Sequence, residues 1–499
     1  MPSPLQIGVA AANITAPVGN YLQGYTRGKP SIGVHLDIYA KAVVFDDGTT
    51  KAAMVTTDLI GLEQGHVSEM RSEVSRWTDI PPSHVLINAS HSHGGPTVQG
   101  IGMDPWGAPW GNPADLDFAR ELAKKIGGLV AMADRQRRPA AIGFGVGKAE
   151  FNISRRFPTP EGTELRPNPD GIIDHRVNVL KIVDLAAHER EDGKIAPGEP
   201  WSINRPAPAP LAVVLQFTCH PTIMAQENLE ISPDFPGVAQ AFVEQAYGGG
   251  PTSGTGLPDG PGTLALFAQG CCGDIRPNLT DDAGDYFRAG TKQDAHRLGR
   301  ILGAEVVKVC EETEVAPAEG PIRMASTRLV LPYTQVPTRA ELERIVAAKG
   351  EETNLGGHVD TTGKLFNDAM WAESVLERLA TGPLPEGIEV EVQALRIGNL
   401  CIVGLPGETF AEIGFQIEQT IPGPAFVLAY TNGNHGYFCT QSSYEGGGYE
   451  PALSWMLYMH PAQFDPAIEH KLVRAGQEVV AKVFAQHPTE QASADSSLT

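Results

Sequence analysis

Four short apolar runs in this chain each end in a polar island, and each island carries a side chain able to bind a metal. Val85–Ala89 runs into Ser90-His91-Ser92-His93-Gly94-Gly95-Pro96, and Leu211–Cys219 into His220-Pro221-Thr222. Cys401–Val403 leads to Gly404-Leu405-Pro406-Gly407-Glu408, and Phe426–Ala429 opens a loop from Tyr430 to Glu450 that holds Tyr437 and Tyr449. Runs of four to eight apolar residues closed by Gly or Pro read as buried strands. Continuous rather than alternating hydrophobicity predicts a sheet covered on both faces. Strand ends on such a scaffold are where α/β proteins build sites.

His91 and His93 stand two apart. In extended backbone both would point to one face and address one point in space. Two imidazoles so placed hold a metal, or one ligates while the other handles protons; the plainer alternative is two histidines hydrogen-bonded in a turn. Glu408 reads either as a ligand or as a carboxylate at a helix N-terminus. Two histidines, a glutamate and a tyrosine make a nitrogen and oxygen donor set suited to zinc.

Between the islands, strand and helix signals alternate. Ala40–Phe45 and Ala52–Thr57 flank an Asp-Asp-Gly-Thr turn and predict a hairpin. Further strands are expected at 141–151, 177–183, 264–268 and 388–397, and helices at 67–77, 114–135, 238–246, 294–312, 409–420 and 461–484. The expected fold class is α/β, or more broadly α+β: mixed central β-sheets flanked by helices, with the metal site at strand ends. Residues 1–485 read as a single domain. Within it 317–385, with two helical segments, is a candidate inserted or cap-like subdomain, and 486–499 reads as a disordered polar tail.

Composition narrows the function classes. The 499 residues are 41% hydrophobic and 19% charged, ordinary for a globular protein. A formal net charge of −21 argues against nucleic acid or an anionic membrane surface as partner. No apolar stretch approaches the ~18 residues of a spanning helix, and no leader pattern stands at the start. Six cysteines in so long a chain form no disulfide framework, so a cytoplasmic setting is expected.

Six motifs carry a resemblance. His91-Ser92-His93-Gly94-Gly95-Pro96, Asn152-Ile153-Ser154-Arg155-Arg156, His220-Pro221-Thr222, Gly273-Asp274-Ile275-Arg276-Pro277-Asn278, Pro406-Gly407-Glu408 and the pair Tyr437 and Tyr449 occur in the order found in one family. Over about residues 5–455 the chain resembles the N-terminal catalytic domain of the neutral/alkaline ceramidases, zinc-dependent amidases that cut the amide of N-acylsphingosines. The resemblance implies one zinc per chain held by His91, His220, Glu408 and Tyr437, with His93, Arg155 and Tyr449 around the substrate carbonyl.

Two departures shape the expected activity. Arg276 stands where the family has a serine, so a side-chain nucleophile is not expected there and attack falls to zinc-activated water. Arg276 itself offers a fork-shaped cation either to a substrate carboxylate or to a structural salt bridge with Asp274 or a neighbouring acid. The leader and the extra C-terminal immunoglobulin-like domain of lipid-active members are also not expected. The aromatic loop around Trp106 (104–111) either lines a pocket or pins itself to the body. Together these predict hydrolysis of an amide in a small, soluble, anionic molecule, without stable membrane association. The alternatives are an esterase or lactonase using the same water, a ceramide-type lipid amidase, and a metal-retaining binding protein without turnover.

Overall fold

The computed structural model describes residues 5–25, 27–98, 113–186, 209–250, 262–348 and 368–485. Trp106 and its loop, most of 187–210 and of 248–262, and the tail from 486 lie outside the described residues.

In chain order the principal strands are β1 (Gln6–Asn13), β2 (Tyr39–Asp46), β3 (Lys51–Thr57), β4 (Val85–Ala89), β5 (Arg138–Lys148), β6 (Asn152–Thr159), β7 (Gly162–Asn168), β8 (Arg176–Asp184), β9 (Ala212–Phe217), β10 (Leu264–Gln269), β11 (Ile275–Pro277), β12 (Ile322–Pro332), β13 (Gly387–Ile397), β14 (Leu400–Gly404), β15 (Glu408–Thr409), β16 (Ala425–Leu428) and β17 (Tyr437–Phe438). The principal helices are α1 (Gln64–Trp77), α2 (Pro113–Arg135), α3 (Asp234–Ala246), α4 (Lys292–Glu312), α5 (Arg339–Ala347), α6 (Asp368–Thr381), α7 (Ala411–Glu418) and α8 (Ile468–Phe484).

A nine-stranded sheet runs β10-β9-β8-β5-β1-β2-β3-β4, with Ala316–Pro317 added on β5. A four-stranded sheet runs β12-β13-β14-β16. The hairpin expected around residues 46–49 is there, with β2 and β3 antiparallel. Within these two sheets three strand pairs are parallel, β3 with β4, β9 with β10, and β14 with β16, and the short strands β15 and β17 form a fourth parallel pair.

Period-two alternation sorts the side chains of these strands into layers. Val43 and Phe45 of β2, Ala212 and Val214 of β9 and Leu266 of β10 meet Leu395, Ile397, Ile402 and Phe426 in a core between the two sheets. On the opposite face of the large sheet, Ala42, Val44, Val55 and Ile87 pack under α1 and α2. There too Val177, Val213, Leu215 and Phe267 pack under α3 and α4. Val390, Val392, Cys401 and Val403 do the same under α7 and α8. The result is four layers, helix–sheet–sheet–helix, in which the central strands are buried on both faces. That is the arrangement the continuous apolar runs predict.

The stretch 317–385 holds a strand besides its helices. Two helices are there, but Ile322–Pro332 is a strand at the edge of the second sheet. Its exposed residues Ser326 and Arg328 break the apolar signal, as an edge strand's solvent-facing side does. Among the described residues no helix is long and apolar enough to cross a membrane.

Candidate metal and active site

The parallel pairs place several strand C-termini side by side, and a few buried amides fix their spacing. Gln269, at the end of β10, donates from Nε2 to Ser90 O (2.7 Å) and to Cys219 O (3.0 Å). It thereby ties the His91 turn to the His220 turn. Asn88 donates to Ala429 O at 2.7 Å and accepts from Gln269 N at 2.9 Å, joining β4, β10 and the end of β16. These buried amide hydrogen bonds fix the register of the turns they join.

The His-x-His pair converges by a different route from the one its spacing suggests. The strand ends at Ala89, and His91 has φ 65°, a left-handed conformation uncommon for a side chain-bearing residue. Its amide is anchored to Leu59 O at 2.8 Å and its ring stacks on Tyr430, with centroids 4.1 Å apart. Strain of this sort persists where surrounding contacts over-determine it, and it clusters at functional sites. Gly24 (φ 102°) closes over the second histidine, since a Cβ there would lie 2.5 Å from the His93 ring.

Nδ1 of His91 faces Ile60 O at 2.6 Å, and Nδ1 of His220 faces Cys272 O at 2.9 Å. A carbonyl only accepts, so both rings carry their proton on Nδ1, leaving lone pairs on Nε2. Both Nε2 atoms lie 3.1 Å from Glu408 Oε2, and His93 Nε2 lies 3.3 Å from His91 Nε2. His220 Nε2 is buried without a hydrogen bond. Burial, then Arg155 and His91, lower the His220 pKa to about 3, so it is neutral at pH 7. Lone pairs crowding a carboxylate oxygen repel unless a cation lies between them. A tetrahedral ion with bonds of about 2.0–2.1 Å sets its ligand atoms roughly 3.4 Å apart, close to the separations seen. His91, His93 and His220 together form a cluster that could hold a metal ion, with donor atoms within 4.8 Å of one another.

Glu408 does not cap a helix. It lies in β15, paired in register with Tyr437 of β17, and the N-terminus of α7 is served instead by Asp274, whose Oδ1 accepts from Ala411 N at 3.0 Å. Tyr437 is buried, its ring parallel to that of His220, and its oxygen accepts from Arg155 Nη2 at 2.9 Å. Arg155 also donates to Gly273 O (2.7 Å) and, through Nε, to Glu450 Oε1 (2.8 Å). Tyr449 opens a π-helical turn, Tyr449–Leu453, with its ring 5.7 Å from that of Tyr437. The motifs at 152–156 and 273–278 become cross-strand neighbours, with Arg276 opposite Ile153.

Several contributors escaped the sequence reading. Tyr430 reaches Glu408 Oε2 at 3.4 Å, and the Tyr458 hydroxyl makes a short hydrogen bond to Oε1. Glu450 clamps Arg155 and Arg156 together. Tyr430 and Glu450 stood at the ends of an aromatic, glycine-rich loop already marked as a binding loop. Nothing local distinguishes Tyr458. The thiols of Cys271 and Cys272 are buried and pushed upward, chiefly by that burial, and so are poor nucleophiles at neutral pH.

No protein-family model matches the chain. Among solved structures it is similar to the neutral ceramidase from Pseudomonas aeruginosa, at 18% identity and a TM-score of 0.64, over 97% of this chain and 76% of that one. A ceramidase complexed with C2 gives 18% identity and a TM-score of 0.64, over 97% and 77%. At that identity the likeness is one of architecture. The chain has the α+β fold of the solved ceramidases, the fold its six ordered motifs lead one to expect.

Proposed function

We propose that the protein is a zinc-dependent hydrolase that cleaves an amide bond in a small molecule. One observation carries this reading: two imidazoles, each proton-locked on Nδ1 by a backbone carbonyl, turn their lone pairs on one buried carboxylate 3.1 Å away. Ligand histidines ordinarily have such an outer partner, which fixes the tautomer. His91, His220 and Glu408 would hold the ion, with Tyr437 as fourth ligand. Zinc in such a site supplies Lewis acidity, polarising a carbonyl and making water a nucleophile near neutral pH.

His93 is the proton carrier in this reading. Its Nδ1 is buried with no partner, so it lacks the outer carbonyl that both ligands have. Burial first, then His91 and His220, push its pKa well below the ordinary imidazole value, leaving a neutral base. In hydrolysis the water oxygen bonds to the carbonyl carbon, the C–N bond breaks, and His93 passes the water's proton to the departing nitrogen. Arg155 and Tyr449 donate to the oxygen on which charge develops, and Glu450 holds Arg155 in place.

Purified protein should carry about one zinc per chain, and chelation should abolish turnover that added zinc restores. Absence of metal from the wild type defeats the proposal. On paired substrates, amide cleavage is expected; cleavage of esters or lactones alone assigns the esterase reading, and no turnover on either assigns a binding protein. Because water attacks, replacing Cys271 and Cys272 with alanine should change turnover by no more than a few-fold. Mass spectrometry detecting an acyl-cysteine would reverse that assignment.

A further inference from the structure

Among the described residues Arg276 has no ion pair, and its Nε is buried without a hydrogen-bond partner. Asp274, the nearest acid in sequence, is engaged at the start of α7. The guanidinium lies over the Phe287 ring, 4.3 Å from its centroid, which fixes its plane while leaving the N–H edge for another group. Tyr25, Arg155, Cys219 and Tyr437 are its electrostatic neighbours, and Tyr25 packs edge-on to His93 at 4.8 Å. Ile275, its neighbour in the chain, accepts from His220 N at 3.0 Å, and Arg276 pairs across the strands with Ile153, two residues from Arg155, so Arg276 stands beside the candidate metal site. Burial lowers its pKa from the usual arginine value, yet the side chain stays charged there. Buried donors in native proteins are almost always paired, and a lone one calls for an explanation.

We infer that Arg276 is a carboxylate-binding residue that selects amides carrying a second, anionic group, which deepens the amide-hydrolase reading above and rests on it. The planar fork matches a carboxylate bidentately, whereas a carboxamide offers it a single acceptor oxygen. Arg155, Arg156 and Arg276 gather here against Glu408, Glu450 and Asp274; Arg155 and Arg156 are both paired to Glu450, which leaves Arg276 as the guanidinium of the three without a described ion pair. An anionic group on a substrate would meet that unpaired charge.

The test compares acids with their neutral carboxamides on the protein as purified. N-acetylglycine carries its carboxylate on the amine side of the amide and N-methylsuccinamic acid on the acyl side; each is paired with its primary amide. Calorimetric binding and turnover are measured separately for wild type, Arg276→Gln and Arg276→Lys. Wild type should prefer one acid over its carboxamide by about 10- to 100-fold, the range for a charge-assisted bidentate pair. Arg276→Gln should bring that ratio near one, and Arg276→Lys, which keeps charge without the fork, should fall between. Because the charge is unpaired in the free protein, Arg276→Gln should melt no lower than wild type.

Equal binding of acid and carboxamide by wild type overturns the inference. So does a preference that survives in Arg276→Gln, no binding of any probe, or melting several degrees lower in Arg276→Gln, which would mark a structural arginine. Acid-selective binding lost in Arg276→Gln, with no amide turned over by wild type, sinks the hydrolase reading and leaves the carboxylate site standing.

Discussion

Replacing His220 with alanine is expected to strip the protein of nearly all its zinc and to lower amide turnover by at least ~10³-fold, since a Lewis acid contributes several kcal/mol to such reactions. His220 is fully buried, and its Nδ1–H is committed to Cys272 O, so its whole orientation serves the Nε2 lone pair. Losing it leaves His91 as the single imidazole facing the Glu408 carboxylate. The variant also leaves a cavity, which in cores costs roughly 2–4 kcal/mol, so it should melt earlier but still cooperatively. Circular dichroism separates that loss of stability from loss of metal, and elemental analysis reads the metal directly. A folded His220→Ala protein that keeps stoichiometric zinc would refute the ligand assignment.

His93→Ala carries the second largest effect and separates two roles that the geometry brings close together. His93 Nε2 lies 3.3 Å from His91 Nε2, near enough to join the ligands. The unpartnered Nδ1 argues for the proton-carrying role. On that reading His93→Ala keeps about one zinc per chain while turnover falls ~10²–10⁴-fold, the usual contribution of a positioned acid/base group. The loss should appear in kcat, because the proton moves in the transition state and not on binding. Zinc loss equal to that of His220→Ala would make His93 a third histidine ligand and leave the proton carrier unassigned.

Much of this protein was legible along the chain because its signals are local. The hairpin of β2 and β3 follows from two apolar runs and an Asp-Asp-Gly-Thr turn. The continuous hydrophobicity of β4, β9 and β14 predicts strands covered on both faces, and the layers above and below them agree. Polar residues directly after such runs had to emerge at strand ends, so His91, His220 and Glu408 were visible as a group before any geometry was known. Local patterns misled where solvent or a turn intervened. β12 alternates with charged residues at the sheet edge, and His91 turns left-handed after Ala89 instead of continuing the strand.

What the sequence by itself determined is therefore the inventory of strands and the identity of the side chains at their ends. Only the tertiary structure decided the distances. The 3.1 Å contacts of Glu408 with His91 and His220 depend on parallel pairing, on Gln269 bridging two turns, and on β15 aligning with β17. The same holds for Arg276, which the sequence left between a salt bridge and a substrate. Its isolation from every described acid is a fact about how separate strands come together. Hydrophobic periodicity is set by neighbours two to four residues apart, whereas the electrostatics of a site depend on groups brought close by register between distant strands.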